Sequence, residues 1–131
     1  MNDKTDLGRL LKTLTPEHND GEFVFCSVDG PVEINPIDIL ASFREKEGLT
    51  LIIRKSTADE LGLPYDFVAS WITLKVYSSL EAVGLTAVIS KALADEGISC
   101  NMMAANYHDH IFVPVKDVEK AMKILLHVSD L

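Results

Sequence analysis

The chain has 131 residues, of which 47% are hydrophobic and 24% charged, a globular balance that excludes fibrous and disordered classes. Its 12 Lys+Arg against 20 Asp+Glu give a formal net charge of -8, which repels phosphate backbones and anionic surfaces, so neither nucleic acid nor membrane is an expected partner. No apolar run approaches the roughly 20 residues that span a bilayer, and "MNDKTDLGRL" carries no apolar signal core, so one compact, soluble, cytoplasmic unit is expected, or two small modules sharing a core.

Leu7, Leu10, Leu11 and Leu14 fall at i, i+3, i+4 and i+7 and predict a short amphipathic helix. A turn is expected through "PEHNDGE", then a strand over Phe23–Val28, broken by "DGPVEINP". Asn35 reads as a helix cap with Pro36 in the first helical position, and that helix is expected to run to Gly48 with Ile37, Leu40 and Ala41 on one face. Leu49–Arg54 reads as a strand. "STADELGL" reads as a short helix capped by Ser56 and stopped by Gly62.

Phe67–Tyr77 is again β-prone, and "SSLEAVG" is the loop after it. Leu85, Val88, Ile89, Ala92 and Leu93 give the clearest amphipathic helix, ended by Gly97. Two strands, Ile98–Asn106 and His110–Val115, are expected around "YHDH", and Val118, Ala121, Met122 and Leu125 mark a final helix. Cys26 and Cys100 lie in apolar strand-like segments and read as buried reduced thiols, with a disulfide or a reactive thiol as the alternatives.

"KEGLTLII", Lys46–Ile53, and "DEGISCNM", Asp95–Met102, match in pattern at a constant offset and suggest a tandem of related modules. The second copy reads strand, helix, strand, strand, helix. That order makes an α+β sandwich of the ferredoxin-like type if a further strand closes the sheet, supplied by the other copy, for instance by Leu49–Arg54 or Phe23–Val28, or by a second chain.

His108, Asp109 and His110 raise three readings: a metal site, an acid/base pair or a hairpin turn. Zinc needs three or four ligands, and His18 and His127 are distant in sequence, so the turn is favoured, with the Asp109 side chain on backbone amides. The seven glycines form neither a dinucleotide fingerprint nor a P-loop, and no nucleophile with its base, HExxH, CxxC or EF-hand loop is present. No cofactor or metal is therefore expected. RNA recognition is disfavoured by the acidic balance and by the lack of a basic-glycine-aromatic run. The loop "SSLEAVGLTAV" stands apart: Gly84 lets backbone approach a ligand, amides at a helix N-terminus favour a carboxylate, and Glu81 offers a counter-charge for an ammonium group.

The stretch "VGLTAVISKALADEGISCNMMAANYHDHIFVPVKDVEKAMKIL", Val83–Leu125, resembles an ACT domain, the small-molecule-sensing module of aspartate kinases and other amino-acid-regulated enzymes. The N-terminal part, with "FVFCSVDG", "SFREKEGLTLIIRK" and "ADELGL", resembles that of free-standing bacterial proteins built of two ACT domains without a catalytic domain. It is similar, more distantly, to the ACT region of a eukaryotic cytosolic arginine sensor. The resemblance implies two tandem ACT-like βαββαβ modules packed together, residues 1–66 as an incomplete copy and 67–131 as a complete one. By matching position it implies ligand contacts from Ser79, Glu81, Ala82, Val83, Gly84, Leu85 and Thr86 in the loop, and from Asn101, Met102, Met103 and Ala104 on the facing strand.

The expected function is a non-catalytic regulatory protein that binds a small molecule, an amino acid or similar zwitterion, and forms a homodimer. The alternative is a protein-interaction or dimerisation module without a small-molecule ligand.

Overall fold

The leucine spacing at the N-terminus yields α1 (Asp3–Thr13), whose Leu7, Leu10 and Leu11 pack on a hydrophobic core with buried Leu14. The computed structural model describes residues 3–76 and 83–130. The chain forms two units, Met1–Asp20 with Ser70–Leu131, and Gly21–Ala69.

The first unit is ordered by β1 (Thr15–Val28), β4 (Val68–Lys75), β6 (Asp109–Pro114) and β5 (Asn101–Ala104), neighbours in that sequence. Its helices are α1, α3 (Leu85–Ala94) and α4 (Val118–Leu126). On β4, Ile72 and Leu74 alternate inward, with Val76 just beyond the strand, and on β6 Ile111 and Val113 do the same; they meet Leu85, Ile89 and Leu93 of α3 and Ala121 and Leu125 of α4. Each of these large side chains, withdrawn from water, contributes about 1.5–3 kcal/mol before the entropy cost is set against it. Gly97, with φ +74, ends α3: its N–H bonds Ala94 O at 2.9 Å and the next amide, of Ile98, bonds Leu93 O at 3.0 Å.

The closing strand of this unit comes from the N-terminal copy, one of the expected sources, but from a segment ahead of those expected. It is the N-terminal part of β1, Thr15–Asp20, where a turn was expected. The polar run "PEHND" reads as a turn by composition, yet its side chains are tied to β4. Glu17 forms an ion pair with Lys75, and the Asn19 amide donates to Thr73 Oγ1 at 2.9 Å and to Trp71 O at 3.4 Å. Increasing residue number on β1 thus meets decreasing number on β4, an antiparallel arrangement. The resulting order, closing strand, first, third, second, is that of a ferredoxin-like sheet.

The second unit runs from Gly21–Val28 of β1 through β2 (Ile39–Glu45) and β3 (Gly48–Arg54) to α2 (Lys55–Leu61), with strand order β2-β3-β1. β1 and β3 pair antiparallel with Val24 opposite Ile53 and Cys26 opposite Leu51, and these four join Val28 and Ala58 of α2 in the unit's core. Gly62, at φ +69, stops α2 as expected.

Two expectations fail here. The helix expected from Asn35 to Gly48 is a 3-10 turn, Pro36–Asp38, followed by strand β2. The start signal works, since Asn35 Oδ1 accepts from the Ile37 amide at 3.2 Å, but pairing with β3 then extends the chain. Ser56 is not the cap of α2: the helix begins at Lys55 with no side-chain cap. The two matching Glu-Gly pairs sit differently, since Glu47-Gly48 turns between two strands, whereas Glu96-Gly97 follows a helix. Both Cys26 and Cys100 are free thiols, and burial pushes each pKa up.

Candidate functional site

The region singled out by sequence begins at Val83. Ser79, Glu81 and Ala82 lie outside the described residues. Val83 is 74% exposed, Gly84 takes a left-handed conformation at φ +100, and α3 follows with Leu85 buried and Thr86 exposed. Gly84 is the N-cap of α3, with no side chain capping the helix; its carbonyl accepts from Val88 N at 3.0 Å. The amides of Leu85 and Thr86 belong to the helix's first turn, whose N–H groups have no intrahelical acceptor and whose dipole favours an anion.

Gly84 is constrained from a second side. A Cβ built on it would lie 3.0 Å from Leu7 Cδ2, so α1 runs directly against this turn. The positive φ strains any side chain at this position, and a Cβ there would require the Leu7 side chain to give way.

The strand residues do not form one surface. β5 pairs antiparallel with β6, Asn101 opposite Phe112, Met102 opposite Ile111, Met103 opposite His110 and Ala104 opposite Asp109. Met102 packs against the core, while Asn101 and Ala104 are exposed and Met103 lies half-buried on the other face. Of the four, Met102 has its side chain committed to packing.

The histidine pair is divided between two environments. Residues 105–108 form the connection between β5 and β6, closed by Ala105 N–H donating to His108 O at 3.1 Å, while Asp109 and His110 stand in β6. The Trp71 indole N–H donates to His110 Nδ1 at 2.9 Å, and Thr73 Oγ1 lies 3.2 Å from the same nitrogen. Burial pushes the His110 pKa down, with the charge of His108 adding to it and Asp109 opposing. Burial likewise pushes the Asp109 carboxyl up. Among the described residues, no group of three His, Cys, Asp or Glu side chains is placed to hold a metal ion.

A cluster not anticipated from sequence sits on α2. Tyr65 Oη donates to Asp59 Oδ1 at 2.5 Å and Lys55 Nζ meets Asp59 Oδ2 at 2.9 Å. The Tyr65 hydrogen bond, then Lys55, lowers the Asp59 pKa. All three groups are solvent-accessible and already satisfied by one another, an arrangement that ties Tyr65 to the helix rather than one that leaves a reactive group.

Comparison with known proteins fits this architecture. Models described as the ACT domain match residues 3–70 and 67–127. The chain is similar, at 40% identity over 98% of its length and 99% of the other, to the crystal structure of a Vibrio cholerae protein of unknown function described as a possible transport protein, with a TM-score of 0.88. An Agrobacterium tumefaciens protein shares the fold at 15% identity, covering 88% of this chain and 89% of its own, with a TM-score of 0.67. The ligand-free regulatory subunit of aspartate kinase from Thermus thermophilus does so at 8% identity, covering 86% of this chain and 95% of its own, with a TM-score of 0.63. No curated protein matches the chain. Among the described residues, no helix is long and apolar enough to cross a membrane.

Proposed function

The chain belongs to the ACT-domain family, with two such domains in tandem, and on that premise we propose that it is a non-catalytic regulatory protein binding an amino acid or a similar zwitterion. The observation that carries this reading is the turn at Gly84: a left-handed glycine opening α3 without a side-chain cap. Such a turn presents amides to a carboxylate, which the helix dipole favours. Glu81 is assigned to the ligand's ammonium group, and Asn101 and Met103 to its flank. The protein acts in the cytoplasm as a homodimer, with the partner copy completing the pocket.

Calorimetric titration of the wild type and of Thr86→Asp tests the assignment. Aspartate in the first helical turn suits the helix dipole, so the fold is retained, while its charge opposes a bound carboxylate. The expected result is loss of at least about tenfold in affinity, the effect of roughly 1.4 kcal/mol. Unchanged affinity overturns the loop assignment.

A second reading, a protein-interaction module, is favoured by one feature. Phe43, 65% exposed, stands on the edge strand β2 of its unit. Exposed edge strands pair readily with other chains. Phe43→Lys abolishing dimer formation, with amino acids silent, is the result that selects this reading.

A further inference from the structure

Strand β2 ends its sheet: β3 pairs with it on one side, and among the described residues no strand pairs with the other. Edge strands are ordinarily guarded by a bulge, a proline or a charge turned inward. Here the irregularity lies at the start, between Ile39 and Ala41, and over 41–45 the pairing with β3 is regular, from Ala41 opposite Ile52 to Glu45 opposite Gly48. Successive side chains of a strand point to opposite faces. Ser42, Phe43, Arg44 and Glu45 are nevertheless all exposed, so both faces of this stretch are open as well as its outer edge.

The face that carries Phe43 is apolar. Directly opposed residues share a face, so Ala41, Ile52 and Phe25 form one row across β2, β3 and β1, and Phe43, Thr50 and Ser27 form the next. Ile52 is buried, and Phe25 is half-buried with its ring centroid 6.1 Å from that of Phe67. Both rows stop at β2, where Phe43 is left 65% exposed. The ends of the strand are acidic. Asp38 stands before it, and Glu45, Glu47 and Asp29, which lies beside Gly48, stand at its far end, where Arg44 and Lys46 offset part of the charge.

We propose that the outer edge of β2 docks an extended segment of a partner protein, which adds to the sheet as a further strand. Alternate apolar residues of the segment continue the rows of Ala41 and Phe43, and basic residues at its two ends meet the carboxylates. Main-chain hydrogen bonds supply affinity and the side chains select the segment. A second copy of this chain is a poorer occupant: across Gly21–Ala69 carboxylates outnumber basic side chains, and the copy brings the same excess. The proposal rests on the protein-interaction reading given above, whose partner it specifies, and uses no residue of the Gly84 turn.

Amide NMR and hydrogen exchange of the full chain test it with two capped peptides of about ten residues, a length typical of strands. Both alternate valine with threonine; one is flanked at each end by lysines, the other by glutamates. The lysine-flanked peptide is expected to move the amides of Ala41, Phe43 and Glu45, to protect alternate amides of β2 from exchange, and to bind about tenfold or more tighter than the glutamate-flanked one, with added salt narrowing the gap. Phe43→Ser, at a side chain too exposed for the fold to need, weakens binding, and N-methylation of alternate peptide valines abolishes it. Equal affinity for the two peptides overturns the proposal, as does movement without exchange protection. Protection of the same amides that grows with protein concentration and needs no peptide makes a second copy the occupant, overturning the proposal while upholding the interaction reading. Silence of these amides toward both peptides and toward concentration overturns the two together.

Discussion

The indole N–H of Trp71 donates to Nδ1 of His110 across 2.9 Å, joining β4 to β6 through side chains. An indole nitrogen only donates, so Nδ1 holds a lone pair and the imidazole proton sits on Nε2. Asn19 extends the chain by donating to Thr73 Oγ1, itself 3.2 Å from Nδ1. A proton added to Nδ1 would face the indole N–H and break this arrangement.

The pH dependence follows. His110 has an ordinary value of 6.5, lowered in the fold by burial first and by His108 second. A lowered folded pKa means that the unfolded chain takes up the proton first, so the stability contribution is complete above pH 6.5 and is lost as pH falls through the folded value. Trp71 is the one tryptophan in the sequence, so its emission reports the event. Emission is expected to be flat above pH 6.5 and to change with a midpoint below it, and the transition vanishes in His110→Phe. A midpoint at or above the ordinary value contradicts the burial of this imidazole.

Asp109 runs the other way. Its folded pKa is raised by burial, so its contribution is favourable below 3.8 and is lost as pH rises through the folded value. Asp109→Asn is therefore expected to raise the thermal midpoint at neutral pH; a fall indicates that the carboxylate is better solvated than its place in β6 implies.

Two glycines give opposite predictions. Gly48→Ala places a methyl group 2.9 Å from Val28 O in a backbone conformation unsuited to it, and destabilisation by about 1–3 kcal/mol is expected. Gly8→Ala meets nothing within 4 Å in α1 and is expected to stabilise by about 0.5–1 kcal/mol. Chemical denaturation distinguishes the two signs.

Core and surface leucines separate in the same way. Leu93→Ala removes a 0% exposed side chain at the centre of the first unit's core and should cost about 2–5 kcal/mol. Leu126→Ala, where the side chain is 59% exposed, should change stability by about 0.5 kcal/mol or less. Equal effects would mean that the helix register of α3 or α4 is wrong.

Periodic elements were legible in the chain itself. Leu7, Leu10 and Leu11 announce α1, and Leu85, Ile89 and Leu93 announce α3, because burial on one face imposes the spacing. Strand β3 was legible for the same reason, through its continuous apolar run. Thr15–Asp20 was not, because its partners are polar groups on β4 and it carries no apolar alternation. The span 39–45 misled because Asn35 and Pro36 start a helical turn that only pairing with β3 cuts short. The Gly84 turn was found through its glycine, but the closeness of Leu7 depends on how α1 packs, which no local pattern encodes.

The measurement that bears most directly on the central claim is thermal unfolding of the whole chain against each of the twenty standard L-amino acids, with Thr86→Asp in parallel. A ligand bound only by the native state at 100 times its dissociation constant adds about 2.7 kcal/mol and raises the midpoint by several degrees. The account predicts a selective rise with one amino acid or a few related ones, diminished in Thr86→Asp. A flat response across all twenty would contradict a regulatory role through amino-acid binding and leave the exposed edge strand β2 as the surface on which this protein acts.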